Sequence, residues 1–232
     1  MRIIAAVLFA GFAVAAQAKE PPPNKALDAL FEREFQQAIK EAPELATFIG
    51  VEGYNDRLTD FSPAAIERRK ARTKLVIAEL KRFDPATLNT QDRISREAAL
   101  FSLESAETEA AFYKGLPLGA DGDNWLPVSS MHGPQQSTLY LVYSTPFRNT
   151  RDYQDYLKRL DALPVKLAQL TELMRVGMRT GWVAPREAMR SVPATFDSMV
   201  AADVTKSPLW KPFASFPEAV VAADRETLAA AG

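Results

Sequence analysis

The chain contains no cysteine and a single histidine, His132. Without a thiol it can form no disulfide, thiolate nucleophile, thiolate metal ligand or lipid-anchoring lipobox. With one imidazole, a two-histidine zinc motif such as H-E-x-x-H cannot be assembled within its 232 residues. An excess of either charge is also missing, because 28 Lys and Arg stand against 29 Asp and Glu. Such balance offers no basic face to nucleic acid or to an anionic membrane. The longest charge-free apolar run, from Ile3 to Ala16, falls short of the ~20 residues that a membrane-spanning helix needs. Absent too are the phosphate loop G-x-x-x-x-G-K-[ST], a dinucleotide fingerprint after a strand and the nucleophile elbow G-x-S-x-G.

What is present is an ordinary globular composition, 47% hydrophobic and 25% charged, enough to bury a core without metals or disulfides. The opening MRIIAAVLFAGFAVAAQAKE has a basic n-region at Arg2, an apolar h-region and an A-x-A site at Ala16–Ala18, the pattern of a secretory signal peptide. Cleavage after Ala18 predicts a soluble periplasmic or secreted protein beginning at Lys19, with no membrane partner after processing. Removing Arg2 leaves 27 basic residues against 29 acidic ones, a net charge of −2. The expected organisation is a signal peptide over 1–18, a Pro-rich tether over 19–23 and a helical domain over 24–232.

Within that domain Leu27, Leu30/Phe31, Phe35 and Ile39 recur at three- and four-residue spacing, the stripe of a helix that ends at Pro43. GVEGYNDRLTDFSP is a turn cluster, and Ser62-Pro63 then supplies an N-cap and an N1 proline for a helix to about Phe83. Its inward residues are Ile66, Thr73, Val76/Ile77, Leu80 and Phe83. Its opposite side, with Arg68, Arg69, Lys70, Arg72, Lys74, Lys81 and Arg82, reads as a solvated face, because Glu67 and Glu79 are interleaved. A third helix from about Thr90 to Tyr113 carries Ile94, Ala98, Phe101 and Phe112 on one side. Its Glu104, Glu107 and Glu109 lack the Glu-x-x-His partner of a carboxylate metal site and read as surface charge.

Residues 114–149 are rich in turn formers, with TLYLVYS the one β-like run, a short strand or an extended crossover. Thr150 then caps a helix of nearly thirty residues, roughly 45 Å. Tyr153, Tyr156/Leu157, Leu160, Leu163, Leu167, Leu170, Met174 and Met178 form its apolar stripe, which reads as core rather than a cofactor box. Pro164 should kink it and Gly181 end it. Two short helical pieces and the connector SPLWKPFASFP lead to the last helix. The fold class is therefore all-α, antiparallel helices of unequal length with a long irregular connection and at most one short strand.

Chemistry is thin in this inventory. His132 lies near Ser129 and Ser130, but no Asp can be assigned to orient the ring as a triad requires. A loop histidine bonded to nearby backbone is the plain reading, and a place lining a pocket the other. No catalytic residue and no metal ligand are assigned.

Two stretches, PELATFIGVEGYNDRLTDFSPAAIERR and TPFRNTRDYQDYLKRLDALPVKLAQLTELMRVGMRTGWVAPREAM, carry ordered motifs. They are P-E-x-A-T-x-x-G at Pro43–Gly50, Y-N-D-R-L at Tyr54–Leu58, P-F-R at Pro146–Arg148 and D-Y-x-x-Y-x-x-R-L at Asp152–Leu160. A G-M-x-x-G-x-x-x-P-R pattern follows at Gly177–Arg186. Together they resemble the bacterial family known as domain of unknown function 885. The resemblance implies longer helical proteins that look like zinc metallopeptidases. An H-E-x-x-P-G-H-H-type helix in their later half would supply the zinc ligands and the base. No position here matches that helix, so zinc is implied only for longer relatives and no cofactor for this chain.

The leading expectation is thus the N-terminal helical portion of an exported metallopeptidase-like protein, inactive alone, whose peptide substrate would meet a cleft completed by a missing C-terminal half. Capping-box spacing at Ser215–Glu218 predicts the start of a final helix that would continue beyond Gly232. A truncated chain should expose Val220, Val221 and Leu228. The alternative is a complete non-enzymatic periplasmic binding module, which should bury them. Because binding groups sit on loops carried by a rigid scaffold, Trp125, His132, Gln135 and Gln136 are the candidates for facing a cleft. The Y-N-D-R and P-F-R residues read as structural, through turns and buried Arg hydrogen bonds.

Overall fold

Asn24 begins the architecture by capping α1 (Lys25–Glu41), its Oδ1 accepting from the N–H groups of Ala26 and Leu27 at 3.1 and 3.2 Å. Its own N–H donates to Asp92 Oδ2 at 2.7 Å, in the first turn of α4 (Thr90–Phe112). One capping residue thereby ties the starts of two helices together. The structure, a computed structural model, describes residues 20–112, 126–130, 132–200 and 203–232, with the side chains of 110–112 outside the description. Among the described residues it is helical throughout, with no strand, in keeping with the all-α expectation.

Ser62 and Pro63 open α3 (Pro63–Leu80) as their sequence predicts, Ser62 Oγ accepting from Ala65 N at 3.3 Å. Between α1 and α3 lies the short α2 (Pro43–Phe48). Leu27 and Leu30 meet Val76, Leu80, Leu88 and Leu100 in an aliphatic cluster, with Phe31, Ile77, Phe83 and Leu103 against its edges. Each such burial stabilises by about 1.5–3 kcal/mol.

Helix α4 departs from the expected face. Ile94, Ala98 and Phe101 point to solvent, Phe101 with 77% of its surface exposed, and the buried positions are Asp92, Arg96 and Leu100. Polar bonds fix this rotation: Asn89 Oδ1 caps Asp92 N at 2.8 Å, and Arg96 Nε donates to the Leu80 carbonyl at 3.0 Å, at the end of α3. An apolar stripe is outvoted where a neighbouring helix end supplies buried acceptors. The solvated reading of the basic side of α3 fails at Arg69, which is 7% exposed, and Arg72 is drawn to Glu34 on α1 through two 2.8 Å bonds.

TLYLVYS is not a strand; it lies within α5 (Pro134–Ser144). Pro134 at the first helical position and the burial of Pro134, Gln135, Thr138 and Leu141 on one face override its β-branched and aromatic composition. The long helix α6 spans Thr150–Thr180, runs through Pro164, and ends at Gly181, whose φ of 83° places it in the left-handed region. Its cap is Asn149 rather than Thr150, Oδ1 accepting from Asp152 N at 3.2 Å. The expected stripe holds at Tyr153, Tyr156 and Leu170, but Arg159 and Lys166 also lie inside, while Leu167 and Met178 are exposed. Gly177 is needed here, because a Cβ would come within 2.3 Å of the Trp182 carbonyl as the chain doubles back.

The two short helical pieces are α7 (Arg186–Met189) and α8 (Val192–Met199). The predicted capping box at Ser215–Glu218 does not form. Helix α9 (Ala222–Ala231) begins after Val221 without a side-chain cap, while Arg225 Nε donates back to Val220 O at 2.8 Å. Phe216 and Val220 are instead drawn into an aromatic cluster with Tyr153, Tyr156, Phe213 and Leu228. Val220 and Leu228 are buried there, against the exposure expected of a truncated chain, whereas Val221 is exposed as that expectation has it. No helix among the described residues is long and apolar enough to cross a membrane.

Candidate functional site

The motifs quoted from the sequence converge on one side chain. Arg159, on α6, has no exposed surface. Its Nε donates to Arg57 O at 2.9 Å, and its Nη2 to Thr47 Oγ1 at 2.6 Å, Tyr54 O at 3.1 Å and Pro43 O at 3.3 Å. The arginine of D-Y-x-x-Y-x-x-R thus clamps the P-E-x-A-T and Y-N-D-R segments by accepting none of their donors and satisfying their carbonyls. Burial pulls its pKa down, against the attraction of Glu44, Asp56 and Asp155. Arg57 and Arg148, by contrast, are about half exposed. Arg57 lies 4.9 Å over the Tyr54 ring, and Arg148 bonds Asp152 and Glu52. Of these three arginines only Arg159 is buried.

Beside this clamp α2, the start of α5 and the middle of α6 enclose a groove of about 380 Å³. At its base Glu44 accepts from Lys166 Nζ at 2.7 Å, Thr59 N at 2.9 Å and Thr59 Oγ1 at 2.6 Å. Burial pushes the Glu44 pKa up, but Lys166 and Thr59 outweigh it and hold the carboxyl below its ordinary value. Lys166 Nζ also sits 5.5 Å over the Phe61 ring. Phe48 and Tyr140 line the same groove and are 75% and 65% exposed, which gives it aromatic lips above a charged floor. Glu44, ionised and fully bonded, serves as a buttress and not as a proton donor.

His132 stands at the lip, in a tight turn before α5. Its Nδ1 lies 3.0 Å from Ser129 Oγ and its Nε2 contacts the Leu126 carbonyl. That carbonyl can only accept, so Nε2 carries the proton and Nδ1 accepts from the serine hydroxyl. A hydrolytic serine would pair with Nε2, with a carboxylate on Nδ1. The arrangement here is a braced loop. Gln135 is almost wholly buried beneath it, Nε2 donating to Ser129 O at 2.6 Å, and its Oε1 occupies the space a Cβ on Gly133 would need. Gln136 Nε2 donates to Ser130 O at 2.7 Å. Of the four candidates, His132 lines the groove, Gln135 and Gln136 brace the turn, and Trp125 lies outside the described residues.

The groove's own charged pair, Glu44 and Lys166, is not among the residues that the sequence marks for a site. Glu44 stood in the P-E-x-A-T motif, and Lys166 had one signal: with Arg159, Leu163 and Leu170 it falls at four-, three- and four-residue spacing, a cation in apolar register.

The profile of the family described as "Bacterial protein of unknown function (DUF885)" matches residues 43–232, from the first turn of α2 to the end of α9. The chain belongs to this family. No curated protein matches it. The DUF885 match takes in the Arg159 clamp and the whole groove, and leaves α1 outside. Among the described residues no group of three His, Cys, Asp or Glu side chains is placed to hold a metal ion. A zinc centre of the kind the resemblance implies does not fit these residues: the lone imidazole spends both nitrogens on its turn, and there is no thiolate.

Proposed function

We propose that the chain is the N-terminal helical portion of an exported, metallopeptidase-like member of DUF885, that it does not hydrolyse peptides by itself, and that its groove forms one wall of a peptide cleft. The observation that carries this reading is His132, the only imidazole, engaged through both ring nitrogens at the rim of an aromatic-lipped groove. Binding surface and catalytic capacity are separated in such an arrangement. Phe48 and Tyr140 offer a peptide apolar contact, while the ionised floor and the braced turn keep the wall rigid. Export rests on the signal-peptide pattern of residues 1–18. The peptidase chemistry rests on the resemblance of the ordered motifs.

The test has three readings. The purified chain, incubated with zinc and dialysed, should retain no stoichiometric metal and cleave no peptide; tight zinc together with turnover would end the proposal. Mass spectrometry of exported protein should find Lys19 at the amino terminus. Translation of the DNA beyond the codon for Gly232 should show an H-E-x-x-H-like helix, and its absence in every frame would remove the peptidase assignment. A second reading, a helical module that binds without catalysing, is favoured by the same aromatic lips, which are groups for contact and not for chemistry. Reporter peptides bound by the isolated chain and released by Tyr140→Ala would support it.

A further inference from the structure

A second pocket, of about 500 Å³, opens between α1, α3 and α4 on the other side of Leu45. Phe31, Val76, Leu80 and Leu103 give it apolar walls, and Arg69 is its most buried charged residue. Nη1 of Arg69 donates to Asp60 O at 3.0 Å and, at a long 3.4 Å, to Glu41. Glu41 is shared: Arg68 stands 3.9 Å away and Gln37 Nε2 donates to it at 3.0 Å. The other carboxylate on the wall, Glu34, is taken up by Arg72 and Arg33. Nη2 of Arg69 is buried and has no hydrogen-bond partner. Burying that one nitrogen without an acceptor is costly.

We infer that this pocket binds a small amphiphile with an apolar body and a carboxylate head, the head accepting from Arg69 and the body lying against Phe31, Val76 and Leu103. The volume lies in the ordinary range for small-molecule sites, about 300–1,000 Å³. A carboxylate oxygen supplies the acceptor that Nη2 lacks, beside an Nη1 already bonded to Asp60 O and Glu41. The inference is independent of the peptide-cleft proposal, since none of its deciding residues lines that groove's floor.

The experiment is calorimetric titration of the purified chain with decanoate, decanol and decyltrimethylammonium, three heads on one apolar body. Decanoate should saturate a single site and bind at least about tenfold more tightly than decanol, with the cation weaker still. Arg69→Met should remove the preference for decanoate. Ala99→Phe, which fills the pocket from α4 and leaves Arg69 in place, should abolish binding of all three. Equal binding of decanoate and decanol, preference for the cation, no saturable binding, or binding unaffected by Ala99→Phe would each overturn the inference. The three-head comparison on the unaltered chain decides even where Arg69→Met fails to fold.

Discussion

Where α1, α3 and α4 meet, six buried aliphatic residues at helical spacing hold the layer together, and polar groups only trim its ends. Where α6 meets its neighbours, a guanidinium and an ammonium occupy the inner face, and aromatic rings brought in from residues 210–228 complete the packing. The first region is built from interchangeable apolar contacts among three helices. The second depends on single donors reaching across more than a hundred residues, as Arg159 does to Pro43 and Thr47. The lesson is one of tolerance: an aliphatic layer loses stability in proportion to the volume removed, whereas a polar clamp fails as a unit once its centre is gone.

The sharpest way to break that contrast is Arg159→Met. It leaves buried carbonyls of Pro43, Tyr54 and Arg57 without their donor and should cost about 3–5 kcal/mol, read as a fall in the urea midpoint. Arg159→Lys should recover only part of it, since an ammonium cannot span the same acceptors. A loss under 1 kcal/mol would place the two regions on the same footing. Leu80→Ala in the aliphatic cluster should cost about 3 kcal/mol, again by urea titration, with Leu80→Met nearly neutral. Gly177→Ala is the next in size. A helix interior ordinarily gains up to about 1 kcal/mol from this change, but here the methyl would meet the Trp182 carbonyl at 2.3 Å. A net loss of about 1–2 kcal/mol in thermal or urea unfolding is expected.

The smallest effect concerns pH. The Glu44 carboxyl is held below its ordinary pKa in the folded chain. Its contribution to stability is therefore complete above the unfolded carboxyl pKa and disappears as pH falls through the lower, folded value. Urea midpoints measured from pH 6 downward should drop more steeply for the natural chain than for Glu44→Gln. Identical acid limbs would show that Lys166 and Thr59 do not favour the ionised form.

How far the site could be read beforehand follows from the same physics. Helix positions came from apolar periodicity and from Ser62-Pro63 and Gly181, all local signals. His132 was found because it is unique, and its bonding to neighbouring backbone is a short-range matter. The rotation of α4, the inward turn of Arg159 and Lys166, and the helical state of TLYLVYS were not legible, because each depends on acceptors or packing partners distant in the chain. The expected cap at Ser215 does not form, and Phe216 and Val220 pack instead in the cluster of Phe213 and Tyr153, the latter a partner outside the local sequence.

By itself the sequence determined the class of fold, the positions of α1, α3, α4 and α6, and the poverty of metal-ligating side chains, since these rest on local propensity and on composition. Only the tertiary structure decided which face of α4 is inside, that α5 is a helix, which arginine becomes the clamp, and where the groove and the Arg69 pocket lie. The acceptors that let Arg159 and Lys166 lie inside come from segments distant in the chain, and only the fold assembles them.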